Sequence, residues 1–305
     1  MSGVPQMPID TLRPRDTHQE TEEMKKIAIT GAAGVVGSGL RRQLLQRGYR
    51  LRLLDLQPIN DCGADETAAV ADIMDQAAML AQLRGADALV HLAACTVDAP
   101  WPDQVRLSIE GCINVFDAAR EAGVNRIVYA SSHHVVGMHP RPPAGPLVDA
   151  QVQLRPDSRY AVGKAFGESL AALYAYKFGM QVMAIRIGNA NTQPVDRRRM
   201  GNWISWRDLG QLVAIGLEHP ALVFEVVYGI SDTTGRHYDN ASAYALGYQP
   251  EDGTAATGFE AEVLRQDPAP AADSALAESA GELSLGGYFS QSEYTGSTAR
   301  LRAQR

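Results

Sequence analysis

A tyrosine and a lysine, Tyr160 and Lys164, stand four residues apart in the segment Ser-Arg-Tyr-Ala-Val-Gly-Lys. At this spacing the two side chains share one face of a helix and can act on the same atoms. A phenol titrates near pH ~10, so a tyrosine base at neutral pH needs a pKa lowered by about 3 units, roughly 4 kcal/mol. A nearby ammonium favours the phenolate. The pair therefore predicts proton transfer by Tyr160, assisted by Lys164.

A glycine-rich turn, Gly31-Ala-Ala-Gly34-Val-Val-Gly37, precedes this pair by about 130 residues. A short apolar strand runs into the turn and a helix follows it, which is the context of a dinucleotide-binding turn. The glycines permit a tight turn and close backbone approach to a pyrophosphate at the helix N-terminus. The spacing differs by one residue from the G-x-G-x-x-G fingerprint. With Tyr160, the turn predicts hydride transfer to or from NAD, whose positive ring would also favour the phenolate.

Two aspartates accompany the next two predicted strands. Asp55 ends the strand 51–55, where a carboxylate can accept hydrogen bonds from the adenosine ribose and repel a 2′-phosphate. Arg52 lies within that strand and not after it, so we expect NAD rather than NADP. Asp72 lies in the predicted strand 69–73, and it is either a ligand of the adenine amino group or the N-cap of the next helix.

Two serines end the predicted fifth strand, at the edge of the sheet where ligands bind. Alternation along a strand turns Ser131 and Ser132 to opposite sides. We assign Ser132 to the reacting oxygen and to the orientation of Tyr160; simple capping is the alternative role for such a pair. Lys164 is expected to hold the nicotinamide ribose and to stabilise the phenolate.

Strands and helices alternate along the first two thirds of the chain. This alternation predicts an α/β fold with a doubly wound parallel (Rossmann) sheet and a small C-terminal substrate-binding region. Besides those already given, strands are predicted at 26–30, 88–92, 125–130, 181–187 and 222–227. Helices are predicted at 36–47, 105–122, 160–178, 206–217 and 238–246, with another ending at residue 83 and one more beyond residue 251.

The composition changes along the chain suggest four regions. Residues 1–24 hold three prolines and many polar residues but no apolar stretch of a secretory signal, so we expect a disordered leader. An NAD-binding Rossmann core is expected at 25–188 and a substrate-side region, interleaved with the core, at 189–255. Residues 256–305 are rich in Ala, Glu, Asp, Gly and Ser, and we expect a C-terminal tail there.

Charge and cysteine content limit the class of protein. The net charge of −7 comes from dispersed acids, which argues against a nucleic-acid partner. Three widely spaced cysteines, at 62, 95 and 112, fit neither a disulfide framework nor a zinc site and favour a reducing cytoplasm. No segment reaches the ~18 apolar residues of a membrane span. We expect a cytoplasmic protein without metal, membrane or nucleic-acid ligands; homo-oligomerisation stays open.

The glycine turn and the polar residues described above together resemble the extended short-chain dehydrogenase/reductase superfamily, also called the NAD-dependent epimerase/dehydratase family. The resemblance covers roughly residues 25–250. It implies NAD as cofactor and a catalytic group of Ser132, Tyr160 and Lys164. The cofactor contacts that it implies are Gly31, Ala33, Gly34, Val35, Val36, Gly37, Asp55, Asp72, Ile73, Leu92, Ala93, Ala94, Tyr160 and Lys164.

Five segments, 131–140, 155–164, 186–188, 198–203 and 227–231, are similar more narrowly to uronate dehydrogenases. Those enzymes oxidise the anomeric carbon of glucuronate or galacturonate to an aldarolactone with NAD. The resemblance implies a small sugar acid as ligand, with Arg198 on its carboxylate. Arg197 and Arg199 either extend this basic patch or form a solvated loop. The implied substrate contacts are Thr96, Ser132, His133, His134, Asn189 and Arg198.

Three positions depart from the uronate dehydrogenase pattern. His133 replaces an asparagine, and Thr96 and Asn189 each replace a serine. Thr96 keeps the hydroxyl and Asn189 keeps hydrogen-bonding capacity, whereas His133 adds bulk and a titratable group beside the sugar.

Two other functions fit parts of the sequence. Nucleotide-sugar epimerases and dehydratases, which hold and recycle NAD, resemble the first half, but they usually need more than the about 100 residues that follow Gly188. An NAD-sensing protein without turnover is the other alternative; such proteins often lack the tyrosine or the lysine, and this chain keeps both.

Overall fold

The computed structural model describes residues 25–141, 147–271 and 273–304, so the predicted leader lies outside the described residues. The strands are β1 (Lys26–Thr30), β2 (Arg50–Asp55), β3 (Glu66–Val70), β4 (Ala88–His91), β5 (Arg126–Ser132), β6 (Gln181–Ile187), β7 (Asn189–Ala190), β8 (Trp203–Ile204) and β9 (Phe224–Gly229). The helices are α1 (Val35–Leu45), α2 (Gln76–Leu83), α3 (Trp101–Gln104), α4 (Gly111–Glu121), α5 (Arg159–Phe178), α6 (Arg197–Met200), α7 (Trp206–Glu218), α8 (Ala241–Ala245), α9 (Phe259–Gln266), α10 (Ala280–Leu283), α11 (Tyr288–Gln291) and α12 (Thr298–Ala303).

Seven parallel strands form one sheet in the order β3-β2-β1-β4-β5-β6-β9. Apolar side chains of α1 and α7 pack on one face, and those of α2, α4 and α5 pack on the other. The strand order reverses between β1 and β4, so the connections after these two strands leave in opposite directions and open a crevice at their carboxyl ends. The predicted doubly wound α/β fold is confirmed.

Helix α5 carries the predicted Tyr-Lys pair, and its ends are defined by local signals. Ser158 is the N-cap, with its hydroxyl oxygen accepting a hydrogen bond from the amide of Ala161 at 3.2 Å. Gly179 ends the helix in the left-handed conformation at φ 73°. Tyr160 therefore lies in the first turn, beside the carboxyl end of β5, and Lys164 lies one turn farther on.

The third strand is not where the sequence predicts it. It covers Glu66–Val70 and not 69–73, because its extent is set by backbone pairing with β2, from Leu51 opposite Glu66 to Asp55 opposite Val70. As the edge strand of the sheet it is largely exposed. Apolar content therefore does not mark it, and the apolar residues 71 and 73 follow the strand instead of forming it.

Other boundaries move for similar reasons. The helix predicted at 105–122 begins at α3 and includes a π-helical segment, Val105–Glu110, before α4. This segment lies against α5, where a Cβ on Gly163 would come within 2.6 Å of the Cβ of Ser108. The helix predicted at 238–246 shortens to α8, and the last strand runs to Gly229 rather than Val227.

The described residues of the predicted tail, 256–271 and 273–304, hold four short helices, α9 to α12, in place of the single helix that the sequence predicts. Three of them have only four to six residues, too few for an apolar period to show. The segment before α11 is bound to the loop after β5: the amide of Leu285 donates to the carbonyl of His139 at 3.0 Å, and that of Gly286 to Gly137 at 2.9 Å. These bonds bring residues 286–289 to the crevice.

Among the described residues, none of the helices combines the length and apolar character that crossing a bilayer requires.

Candidate active site

A cleft of about 620 Å³ opens at the carboxyl ends of β1, β4 and β5. Its walls come from the glycine turn, the start of α5, the β7–α6–β8 region and the segment before α11. All the predicted site residues line it except Ala33 and Asp72. One cleft thus brings together residues that lie more than 150 positions apart in the sequence.

The glycine turn forms one end of this cleft. Gly31 has φ 71°, and a Cβ on it would lie 2.7 Å from the amide nitrogen of Ala93. A Cβ on Gly37 would lie 2.6 Å from the carbonyl oxygens of Gly31 and Ala32. The N-cap of α1 is Gly34, which has no side chain to cap the helix, so the first amides of α1 are open to an anionic ligand. The close backbone packing and the uncapped helix fit the pyrophosphate of a dinucleotide.

Asp55 fixes the next part of the same wall. One carboxylate oxygen accepts from the amide of Ala33 at 3.0 Å, and the other accepts from Gln57 at 2.9 Å. Arg52 donates instead to the carbonyls of Gln82 and Arg84, away from the cleft. The cleft therefore presents a carboxylate, and not this arginine, where the adenosine ribose is expected to bind.

Asp72 is placed differently from its expected role. It follows β3, and its carboxylate accepts from the amide of Met74 at 2.9 Å in the turn before α2. The N-cap of α2 is Asp75, which accepts from Ala78 at 2.9 Å. The alternative role of Asp72 as helix cap is therefore wrong, and the cleft is lined by its neighbours Ala71 and Ile73.

The two serines at the end of β5 belong to different networks. Ser131 donates to a carboxylate oxygen of Glu168 at 2.5 Å, and this buried carboxylate also binds Arg186 at 2.8 and 2.9 Å. Ser132 is hydrogen-bonded to the hydroxyl of Tyr160. The alternation along the strand therefore places Ser132, and not Ser131, at the tyrosine.

Burial determines the electrostatics of this group. The pKa of Tyr160 is raised, mainly by burial and also by the negative charge of Asp157, although the bond from Ser132 lowers it. Burial lowers the pKa of Lys164 to about 8. The lysine ammonium donates to the carbonyl of Ala130 at 2.7 Å and lies 5.9 Å from the centre of the tyrosine ring. Burial therefore outweighs the bond from Ser132, and the pKa of Tyr160 lies above that of an ordinary phenol.

The other end of the cleft is polar. Arg198 lies on α6, and its Nη1 is buried without a hydrogen-bond partner among the described residues. The same holds for Oδ1 of Asn189 and Oδ1 of Asn202, and all three residues line the cleft. Unpaired buried polar atoms are costly, so three of them in one cavity indicate a ligand with complementary groups.

The arginines next to Arg198 have different surroundings. Arg197 forms an ion pair with Glu282 at 2.8 Å. Arg199 is paired with Asp196 at 3.1 Å and is partly exposed at the edge of the cleft. Of the three arginines, Arg198 is therefore the one whose guanidinium is free to bind an anion within the cleft.

The two histidines after β5 are held in different ways. His133 is buried, with Nδ1 at 3.0 Å from the hydroxyl of Tyr238 and Nε2 at 3.2 Å from the amide nitrogen of Asn202. His134 has its Nδ1 at 2.7 Å from a buried carboxylate oxygen of Asp157. Its ring also packs on Phe289, with centroids 4.7 Å apart. Both rings are therefore fixed before a ligand binds.

Several residues of the cleft were missed by the sequence analysis, namely Asn202, Gly286, Tyr288 and Phe289. Asn202 belongs to the segment 198–203, which resembles uronate dehydrogenases, but the resemblance implies a substrate contact there only for Arg198. The two glycines and two aromatic residues at 286–289 stand out within the polar tail. This local change in composition is the sequence signal that could have marked residues 286–289 as part of a site.

A model of the NAD-dependent epimerase/dehydratase family matches residues 27–205 of this chain. The chain belongs to this family. Its relatives include the uronate dehydrogenase of Pseudomonas putida, 36% identical over 254 residues, which are 83% of this chain and 92% of the relative.

Two solved structures show the same fold. Glucuronic acid dehydrogenase from Chromohalobacter salexigens superimposes with a TM-score of 0.81 at 34% identity, over 88% of this chain and 97% of the other. A mutant of uronate dehydrogenase from Agrobacterium tumefaciens in complex with NAD has a TM-score of 0.79, with the same identity and coverage. The family assignment and the glycine turn agree on the cofactor, which is NAD.

Proposed function

We propose that this member of the family oxidises a uronic acid of the galacturonate or glucuronate type at its anomeric carbon, with NAD as hydride acceptor, to an aldarolactone. The observation that carries the proposal is the buried Nη1 of Arg198, which lines the cleft and has no hydrogen-bond partner in the part of the chain that the structure describes. A guanidinium binds a carboxylate by two parallel hydrogen bonds. Asn189 and Asn202 add unpaired amide oxygens that can accept from sugar hydroxyls.

The residues of the glycine turn, Asp55 and the β4 end at 92–94 would hold NAD, which supplies the hydride acceptor and a positive charge near Tyr160. Tyr160 accepts the proton of the anomeric hydroxyl through its phenolate oxygen. Ser132 holds the anomeric oxygen of the sugar in place by hydrogen bonding. Lys164 contributes its positive charge to the phenolate and positions the nicotinamide ribose.

The assignment of roles also follows position in the cleft. Thr96, His133, His134 and Asn189 line the same cleft as Arg198, and we assign them to the sugar, as the family resemblance implies. The proposed NAD-binding core is 25–188 and the proposed substrate-side region is 189–255; residues 286–289 of the proposed tail also line the cleft. All three cysteines are free, which supports a reducing cytoplasm as the location.

The decisive experiment compares Arg198→Ala with wild type on galacturonate, glucuronate, glucose and galactose, following NADH absorbance. Hydrogen bonds to charged groups contribute about 1.5–3 kcal/mol, so kcat/KM for the uronates should fall roughly ten- to a hundredfold or more. Neutral aldoses have no carboxylate to lose and should be affected little. Lysine at position 198 should restore only part of the activity, because an ammonium cannot form the planar pair.

Arg197→Ala is the matched control, because this arginine leaves the same helix toward Glu282. Equal losses on charged and neutral sugars would mean that Arg198 is structural and would remove the main support for a uronate. Sugar-nucleotide conversion without net NADH would identify an epimerase or dehydratase. Tight NAD binding without turnover of any sugar would identify a sensing protein.

A further inference from the structure

Asn202 places a polar atom in the cleft that no described residue satisfies. The side chain is buried, 3% exposed, and its Oδ1 has no hydrogen-bond partner among the residues that the structure describes. A buried amide oxygen left without a donor loses its hydration and gains nothing in return. Because Asn202 lines the cleft, a ligand hydroxyl is the donor that would satisfy it.

The orientation of this amide is imposed by a buried chain of hydrogen bonds. Burial, and then the charges of His134, Arg198 and Arg199, hold the pKa of His133 well below its usual range. Its imidazole is therefore neutral and has one donor and one acceptor nitrogen. Nδ1 faces the hydroxyl of Tyr238, and Nε2 is the acceptor because the side-chain nitrogen of Asn202 beside it can only donate. The amide nitrogen of Asn202 donates to it, which turns Oδ1 away from His133 and toward the cleft.

The backbone of Asn202 is also hydrogen-bonded to Arg199 and Asn189, both of which line the cleft. The backbone amide of Asn202 donates to the backbone carbonyl of Arg199 at 3.2 Å. The backbone carbonyl of Asn202 accepts from the backbone amide of Asn189 at 2.8 Å. Asn202 lies two residues after the end of α6, the helix that carries Arg198. Arg198 and Asn202 line the same cleft, and in a sugar acid held at Arg198 by its carboxylate the hydroxyl nearest that anchor is the one a neighbouring acceptor would meet first.

We propose that Asn202 is a specificity-determining residue whose Oδ1 accepts a hydrogen bond from the C4 hydroxyl of the uronate, and that His133 is the residue that positions it. In a pyranose uronate, C4 is the hydroxyl-bearing carbon next to the one that carries the carboxylate. Galacturonate and glucuronate differ in configuration at this carbon alone. The inference rests on the proposed function, because Arg198 must first bind the carboxylate.

The test is the ratio of kcat/KM values for the two C4 epimers, measured with wild type and Asn202→Ala. Loss of a neutral hydrogen bond should reduce the ratio roughly three- to tenfold, by slowing the preferred epimer. A 4-deoxyuronate lacks the hydroxyl, so wild type and variant should use it equally well. A wild-type ratio near one, or a ratio unchanged by the substitution, would overturn the proposal.

Two substitutions of His133 separate positioning from simple packing. Glutamine extends to the place of Nε2 and can still accept from Asn202, whereas asparagine ends near Nδ1 and can reach Tyr238 alone. His133→Gln should therefore keep the epimer ratio, and His133→Asn should lower it as Asn202→Ala does. Equal effects of the two substitutions would show that His133 acts through packing alone.

The imidazole of His133 gives a measurement that does not depend on turnover. In ¹⁵N-labelled protein, Nδ1 should be protonated and Nε2 unprotonated, and the Nε2 shift should change in Asn202→Ala. A protonated Nε2 would reverse the amide and overturn the proposal. Failure of the proposed function looks different: wild type then yields no NADH from either epimer. If the inference alone fails, uronate oxidation and its dependence on Arg198 remain.

Discussion

Gly287 lies directly against the guanidinium of Arg198, so that a Cβ on the glycine would come within 2.3 Å of Nε. The glycine has φ 64° and ψ −122°, a conformation that side chains with a Cβ rarely adopt. Gly287 thus holds the arginine from one side, while Nη1 of Arg198 has no hydrogen-bond partner among the residues with described positions. The position of the proposed carboxylate site depends on a glycine almost 90 residues away in sequence.

This contact predicts the effect of Gly287→Ala. The methyl group should push the guanidinium aside and raise KM for a uronate roughly tenfold, the equivalent of about one charge-assisted hydrogen bond. KM for a neutral aldose should hardly change. Gly179→Ala is the control, since Gly179 also has a positive φ but nothing within 4 Å of a Cβ. If both variants have the same KM for uronate, the arginine does not depend on this contact.

Asp55→Ala should weaken NAD binding and narrow the preference for NAD over NADP. The carboxylate stands at the end of β2, held by the amides of Ala33 and Gln57, where it would repel a 2′-phosphate. The measurement is kcat/KM with each cofactor. Asp65→Ala should leave both values unchanged, because Asp65 pairs with Arg50 at the opposite end of β2. An unaltered cofactor ratio in Asp55→Ala would refute the assignment.

Tyr160→Phe should abolish turnover and leave NAD affinity nearly intact.

Because burial raises the pKa of Tyr160 and a base must be deprotonated, kcat/KM of the wild type should increase as the pH rises. Ser132→Ala removes the hydrogen bond that lowers this pKa, so the increase should move to higher pH. Rates on sugar deuterated at the anomeric carbon establish whether hydride transfer limits the rate. A flat profile between about pH 6 and pH 9, under that limitation, would exclude Tyr160 as the base.

Lys164 should reduce the stability of the protein at neutral pH. Its pKa is about 8 when folded, against 10.5 for an ordinary lysine, so the unfolded chain holds one more proton between these values. The contribution of Lys164 to the free energy of unfolding therefore increases as the pH rises between these two pKa values, by roughly 3 kcal/mol at most. In denaturant titrations without NAD, wild type should gain stability relative to Lys164→Met between pH 7 and pH 10.5. A constant difference would mean that the lysine is not desolvated.

The core of the fold was predictable because its signals are local. Short apolar strands, the glycine turn and the serine cap of α5 mark their own boundaries, and Tyr160 and Lys164 follow from helical spacing alone. β3 was misplaced because an edge strand is defined by its pairing with β2 and not by apolar content. Pattern recognition is therefore strongest where both faces of an element are buried.

The substrate end of the cleft depends on contacts between distant segments. The unpaired oxygen of Asn202 results from a bond to His133, 69 residues earlier, and nothing in the local sequence fixes that pairing. Phe289 reaches His134 only because the tail is bound to the loop after β5. Such proximity follows from tertiary packing, which spacing rules do not describe.

Because the chain is synthesised from its N-terminus, the different walls of the cleft can form at different times. The glycine turn, Asp55 and α5 precede residues 286–289 by more than 100 positions, so they are synthesised first. Since chains fold largely from the N-terminus during synthesis, the nucleotide end of the cleft can form well before the wall beside Arg198 exists. A nascent chain arrested near residue 280 would then bind the cofactor while its sugar site still stands open to water, and oxidation of the sugar acid would begin only after residues 286–289 have docked.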